Sequence, residues 1–98
     1  MPQINVKVPH GLDAQTAFAR LKPALEKLAA DFQGQNVQIE STDSTARFSF
    51  KSLGFEIKGQ AEAKPSEVVV NVDLPFAAMM FKDKAQQAIE KNVRRALE

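Results

Sequence analysis

Apolar and polar residues alternate from Ile4 to Val8, with Ile4, Val6 and Val8 on one side and Asn5 and Lys7 on the other. This period of two predicts a strand with one buried face. Pro9 closes the run, His10 and Gly11 supply a bend, and Asp13 is placed to cap a helix by accepting from free backbone N–H groups of its first turn. The period then changes. Ala17, Phe18, Leu21, Leu25, Leu28 and Phe32 recur mostly three and four apart, which predicts an amphipathic helix. Pro23 falls inside it, nearly opposite the apolar stripe. There it deletes the hydrogen bond to the Ala19 carbonyl and predicts a kink that bends the helix around a curved sheet. Gln33-Gly34 supplies the stop.

Four alternating segments follow, with inward sets Val37 and Ile39; Ala46, Phe48 and Phe50; Phe55, Ile57, Gly59, Ala61 and Ala63; and Val68, Val70, Val72 and Leu74. Ser41-Thr42-Asp43-Ser44, Leu53-Gly54 and Pro65-Ser66 are the turn candidates between them. Two-residue loops at the last two place Phe50 opposite Ile57 and Ala63 opposite Val68. The same register sets Lys51 against Glu56, Lys64 against Glu67 and Lys58 against Asp73. Opposite charges thus meet in a register chosen only for apolar parity, which predicts an antiparallel meander. Val69 is the one apolar residue on the polar face.

Pro75 opens a second helix running to the C-terminus, with Phe81, Ala85, Ala88, Ile89, Val93 and Ala96 on its core stripe. Asn92 interrupts that stripe, so it either hydrogen-bonds within the core or marks where the helix end lifts off. The order β-α-β-β-β-β-α has one apolar sheet face and one apolar stripe per helix. The predicted fold class is therefore α+β, a single curved antiparallel five-stranded sheet of order 2-3-4-5-1 with both helices on one face. A parallel pairing of the first two strands is the alternative. Phe18, Leu21, Leu25, Phe48, Phe50, Ile57, Val70, Val72, Phe81 and Ile89 are expected among the most buried residues.

Composition narrows the function classes. Ninety-eight residues, 44% of them apolar, make one domain, residues 1–98. A net charge of +1 with no basic run beyond Arg94-Arg95 argues against nucleic-acid binding. Zero cysteines and one histidine exclude disulfides, iron–sulfur ligation, thiol catalysis and a multi-histidine metal site. Met1 to Asn5 carry no leader pattern, and no apolar run approaches the ~20 residues of a membrane span, so a cytoplasmic location without an integral membrane segment is expected. No cofactor is expected.

His10 is the one side chain that titrates near neutrality without perturbation, and it sits at a strand–helix bend, where a turn histidine without chemistry is the simpler reading. Asp31, Asp43, Glu56, Glu62, Glu67 and Asp73 are spread over polar faces and turns and read as solvated charges. Phosphate loops, nucleophile elbows and metal-ligand spacings are absent from the sequence. Phe76-Ala77-Ala78-Met79-Met80-Phe81 is different. Six consecutive apolar residues cover every side of a helix, of which a two-layer fold buries about half. Ala78 and Phe81 are expected inward, and Phe76, Met79 and Met80 point partly or wholly elsewhere. Either the first helix or the bend at His10 to Leu12 covers them, or they form an apolar patch for a partner subunit, a lipid-like ligand or a hydrophobic particle.

The chain resembles the bacterial polyhydroxyalkanoic acid system proteins, encoded near polyhydroxyalkanoate granule genes. The resemblance lies in Ile4 to Val8 followed by His10-Gly11-Leu12, the helix from about Ala17 to Asp31-Phe32, Phe48-Ser49-Phe50, Gly54-Phe55 with Ile57-Lys58-Gly59, Val70, Val72, Leu74-Pro75, and the closing Phe81-Lys82 and Ile89-Glu90. Pro23 departs from that pattern. The resemblance implies a cytoplasmic protein of storage-granule metabolism and brings no catalytic residues with it. The element order also resembles a minimal helix-grip fold, whose larger members hold apolar ligands between a curved sheet and a long C-terminal helix.

Two functional expectations follow. The first is a non-catalytic binding or structural protein that meets the polyhydroxyalkanoate granule, a granule protein or a second copy of itself through Phe76, Met79 and Met80, with His10 as a further candidate. The second is a carrier of a small apolar ligand held between the sheet and the last helix. Gly59, Ala61 and Ala63 favour the carrier if they leave space above the sheet, and do not if that space admits a close-packed helix.

Overall fold

The alternation at the N-terminus becomes β1 (Gln3–Pro9), and the Asp13 cap starts α1 (Ala14–Asp31). The meander consists of β2 (Gln35–Thr42), β3 (Thr45–Ser52), β4 (Phe55–Ala63) and β5 (Glu67–Asp73). A 3₁₀ helix (Phe76–Phe81) and α2 (Lys82–Leu97) complete the chain. The structure, a computed structural model, describes residues 3–42 and 44–98. The readings that involve Met1, Pro2 and Asp43 lie outside them.

All pairings are antiparallel, in the order β1-β5-β4-β3-β2, which is the predicted arrangement. Phe50 pairs with Ile57 and Ala63 with Val68, in the register that apolar parity selects. The helices lie on the apolar face, α1 over β3 and β4, α2 against β1 and α1. Ile4, Leu21, Val68, Val70, Ile89 and Val93 are the largest fully enclosed side chains of the core between them. Pro23 sits on the solvent side of α1, which continues through it. Asn92 hydrogen-bonds to the Ala88 carbonyl of its own helix at 3.0 Å, so its amide is partnered without leaving the stripe.

Several expectations change. The last helical segment is not one α-helix: its first six residues wind as 3₁₀. With three residues per turn, Ala78 and Phe81 stack in one row, Phe76 and Met79 in a second, and Ala77 and Met80 in a third. A row of only two side chains then faces the protein. Val37 is exposed, because a register shift between Gln35 and Gln38, with Asn36 at φ 54°, turns it off the inner face of the edge strand. Phe18 and Ile57 are only partly buried, and Phe81, expected in the core, is exposed, because its side of the segment faces an open cavity and not a packed layer. Phe18 lies at the border of the α1 stripe with the Lys22 ammonium 5.3 Å from its ring centroid. Of the charge pairs, Lys51 faces Glu56 and Lys58 faces Asp73 in register. Among the described residues, however, the ion pairs formed are Lys58–Glu56 at 3.7 Å and Arg94–Glu90 at 2.7 Å, while Asp73 accepts from Gln3.

Gly59, Ala61 and Ala63 leave no void. The Phe48 ring lies directly over Gly59, where an added Cβ would collide with it and would stand 2.9 Å from the Asn71 carbonyl. Ala61 and Ala63 are sealed in the core where α1 crosses β4. The close-packed helix therefore accounts for Ala61 and Ala63, and at Gly59 the Phe48 ring takes the space.

Candidate functional site

The open space lies at the other end of the sheet, and the termination of α1 frames it. After Asp31 the chain makes a Schellman closure: Gln33 N–H donates to the Ala30 carbonyl at 3.0 Å and Gly34 N–H to the Ala29 carbonyl at 2.7 Å, with Gln33 itself in the left-handed region at φ 56°. Gly34 is required for close approach, since a Cβ there would meet the Ala29 carbonyl at 2.8 Å and the Phe50 ring at 2.9 Å. This turn delivers Phe32 over the sheet, and Ser52 Oγ donates to the Phe32 carbonyl, tying the end of α1 to β3.

Between these elements and α2 is a cavity of about 220 Å³. Phe48, Phe50, Ile57, Val72 and Leu74 form its sheet wall, Leu28 and Phe32 its α1 wall, and Ala78, Phe81, Ala85 and Ile89 the opposite side. The Phe48 and Phe50 rings stand 6.5 Å apart and 14° from parallel, a stack that holds both on the inner face. Only Ser52 and Lys84 among the lining side chains carry a polar atom. The Ser52 hydroxyl is already engaged, and Lys84 is exposed at the rim.

The exposed apolar surface continues from this mouth. Leu53, at the tip of the β3–β4 turn, is 72% exposed and lines the cavity, as does Phe81 at 45%. Along the same 3₁₀ helix Phe76 is 71% exposed, Met79 50% and Met80 82%. Neither α1 nor the His10 bend covers them.

His10 stands apart from this group, at the opposite end of the sheet. Leu12 N–H donates to Nδ1 at 3.1 Å, so the proton is on Nε2, which donates to the Lys64 carbonyl at 2.8 Å. Its backbone N–H also donates to the Ser66 carbonyl at 3.0 Å. Both ring nitrogens are thereby spent pinning the β1–α1 bend to the β4–β5 turn. Beside it, Asp13 Oδ1 accepts from Thr16 N–H at 2.6 Å. That backbone hydrogen bond, followed by the Thr16 side chain, holds the carboxyl below its ordinary value of 3.8.

Sequence reasoning places Phe76, Met79 and Met80 together and misses Leu53, Ser52 and Lys84. Lys84 has a signal, since it lies three residues after Phe81 and so shares its side of the helical segment. Leu53 has none beyond being the larger member of a two-residue turn. Among the described residues no group of three or more histidines and carboxylates is placed to hold a metal ion. No helix among them is long and apolar enough to cross a membrane.

A single antiparallel sheet with two helices on one face, and an apolar cavity opening beside an exposed apolar segment, defines the class: an α+β domain of one open five-stranded sheet and two helices. The chain matches, over residues 4–97, the family described as "Putative polyhydroxyalkanoic acid system protein", and it belongs to that family. No curated protein matches it. Among solved structures, the crystal structure of TTHA0849 from Thermus thermophilus is similar at a TM-score of 0.40 and 9% identity, covering 98% of this chain and 94% of that one.

Proposed function

We propose that this protein is a non-catalytic binding protein of polyhydroxyalkanoate granule metabolism that seats itself on the granule surface through Phe76, Met79 and Met80. The observation that carries the reading is the exposure of these three large side chains on one short 3₁₀ helix. Isolated exposed apolar residues are ordinary, but a contiguous group is a contact surface. Methionine suits an irregular apolar partner because its unbranched, polarisable chain adapts to uneven surfaces. Family membership supplies the granule context.

The test is the double substitution Met79→Ser and Met80→Ser. Removing exposed side chains should change stability by no more than about 0.5 kcal/mol, so thermal melting should be unaltered while co-sedimentation with isolated granules is lost. Continued sedimentation of the folded variant would overturn the reading. Loss of self-association in light scattering, with granule binding intact, would instead assign the patch to a homodimer.

A second reading rests on a separate observation, the cavity between the sheet and the helices. A concave space walled by phenylalanine and aliphatic side chains accepts apolar matter in preference to water. It supports a carrier of a small apolar ligand.

A further inference from the structure

We propose that the cavity takes the hydrocarbon tail of an aliphatic monocarboxylate, and that the Lys84 ammonium at the mouth holds the carboxylate. The proposal rests on the carrier reading and adds the ligand's chemistry. Nothing inside the cavity asks for a polar group: its walls are apolar, Ser52 already donates to the Phe32 carbonyl, and no buried side-chain nitrogen or oxygen among the described residues lacks a partner. A polar end placed deep in the cavity would lose its hydration without recompense. The polar end of any ligand must therefore stay at the rim.

Lys84 is the one charged side chain among the lining residues, and neither ion pair among the described residues uses it. Its four-carbon stem can lie along the apolar wall with the ammonium at the water boundary. A single cation there complements a single anion, and an ammonium–carboxylate contact at the edge of a low-dielectric space is stronger than one in open water. Size sets the tail. At about 220 Å³ the space exceeds the roughly 150 Å³ that admits benzene. It falls below the roughly 300 Å³ at which pockets for larger ligands begin. One short unbranched chain is accommodated, and a two-chain lipid is not.

Octanoate and 1-octanol, which share a tail and differ in charge, separate the parts of this proposal. Each is titrated into the full chain and followed by amide chemical shifts, for the parent, Lys84→Met and Ala85→Leu. Both probes should shift residues around the cavity. Lys84→Met keeps the apolar stem and should weaken octanoate about fivefold while leaving octanol within about twofold. Raising the salt from about 0.01 M to about 0.3 M should weaken octanoate alone. Ala85→Leu, which fills the cavity, should weaken both, with thermal melting showing that the variant is folded. If both probes bind and Lys84→Met affects them equally, the carboxylate assignment is overturned and the carrier reading stands. If neither binds, both are overturned.

Discussion

At the end of the sheet that carries the β4–β5 turn, Ala61, Ala63 and Val68 from the strands and Ala17 and Leu21 from α1 are at most 2% exposed. At the end that carries the β3–β4 turn, the larger side chains Phe48, Phe50, Phe55 and Ile57 border a void, and Phe55, Ile57 and Phe81 are incompletely covered. Small residues thus make the tight end and bulky residues the loose one. Alanines on a strand let a helix backbone settle close to the sheet, so the two surfaces meet directly. Bulky rings hold the layers apart, and a gap persists wherever no side chain is long enough to reach across it. Cavity formation is a matter of complementarity between layers, so bulk on one layer leaves a gap where the other does not reach it.

The comparison breaks most visibly if Phe48 is truncated. Its ring covers Gly59 and forms part of the cavity wall, so Phe48→Ala should both uncover the strand and enlarge the void, at about 3–5 kcal/mol in denaturant unfolding. A cost below about 1 kcal/mol would mean that the ring carries little of the core. A sharper contrast comes from adding the same volume at each end. Ala61→Leu has nowhere to place its extra carbons and should lose about 1–3 kcal/mol by overpacking. Ala85→Leu enters existing space and should be neutral or stabilising. Equal losses at the two positions would contradict the distinction between a filled and an unfilled end.

The smallest expected effect concerns the cap at the tight end. Asp13 has a folded-state pKa below its ordinary value because it accepts from Thr16. Its contribution is therefore full above the unfolded carboxylate value and is lost as pH falls through the folded one. Asp13→Ala should destabilise near neutral pH, and the difference from the parent should shrink on acidification through the carboxylate range. A difference independent of pH would show that the cap does not act through its charge.

Most of the fold is legible in the sequence because alternation specifies a face and two-residue turns specify register. Phe50 with Ile57 and Ala63 with Val68 require nothing else. Coverage is less legible. Inward parity states where Ile57 points, but whether anything reaches it depends on where α1 stops and α2 begins. Phe76 to Phe81 shows a related limit: six apolar residues fit a period of 3.0 as well as 3.6, so their exposure is foreseeable and their 3₁₀ winding is not. Val37 turns outward through a local left-handed residue at Asn36, which apolar periodicity does not register. The cavity is a joint property of β3, β4, β5 and both helices, and no single segment encodes it. His10, by contrast, reads as a turn residue from its neighbours alone, and its two ring hydrogen bonds say which turns it joins.

The β3–β4 turn carries a consequence of another kind. Leu53 and Gly54 both have positive φ, at 53° and 85°, as a type I′ connection demands, and asparagine followed by glycine serves that backbone best. A leucine there bears conformational strain and exposes its side chain to water as well. This residue, the unfilled cavity and the uncovered 76–81 turn are three separate departures from what folding alone would select, and they converge on one end of the molecule. In landscape terms the tight end is minimally frustrated and the loose end is locally frustrated. The chain therefore holds its reserve of unrealised stability next to the surface proposed to meet its ligand.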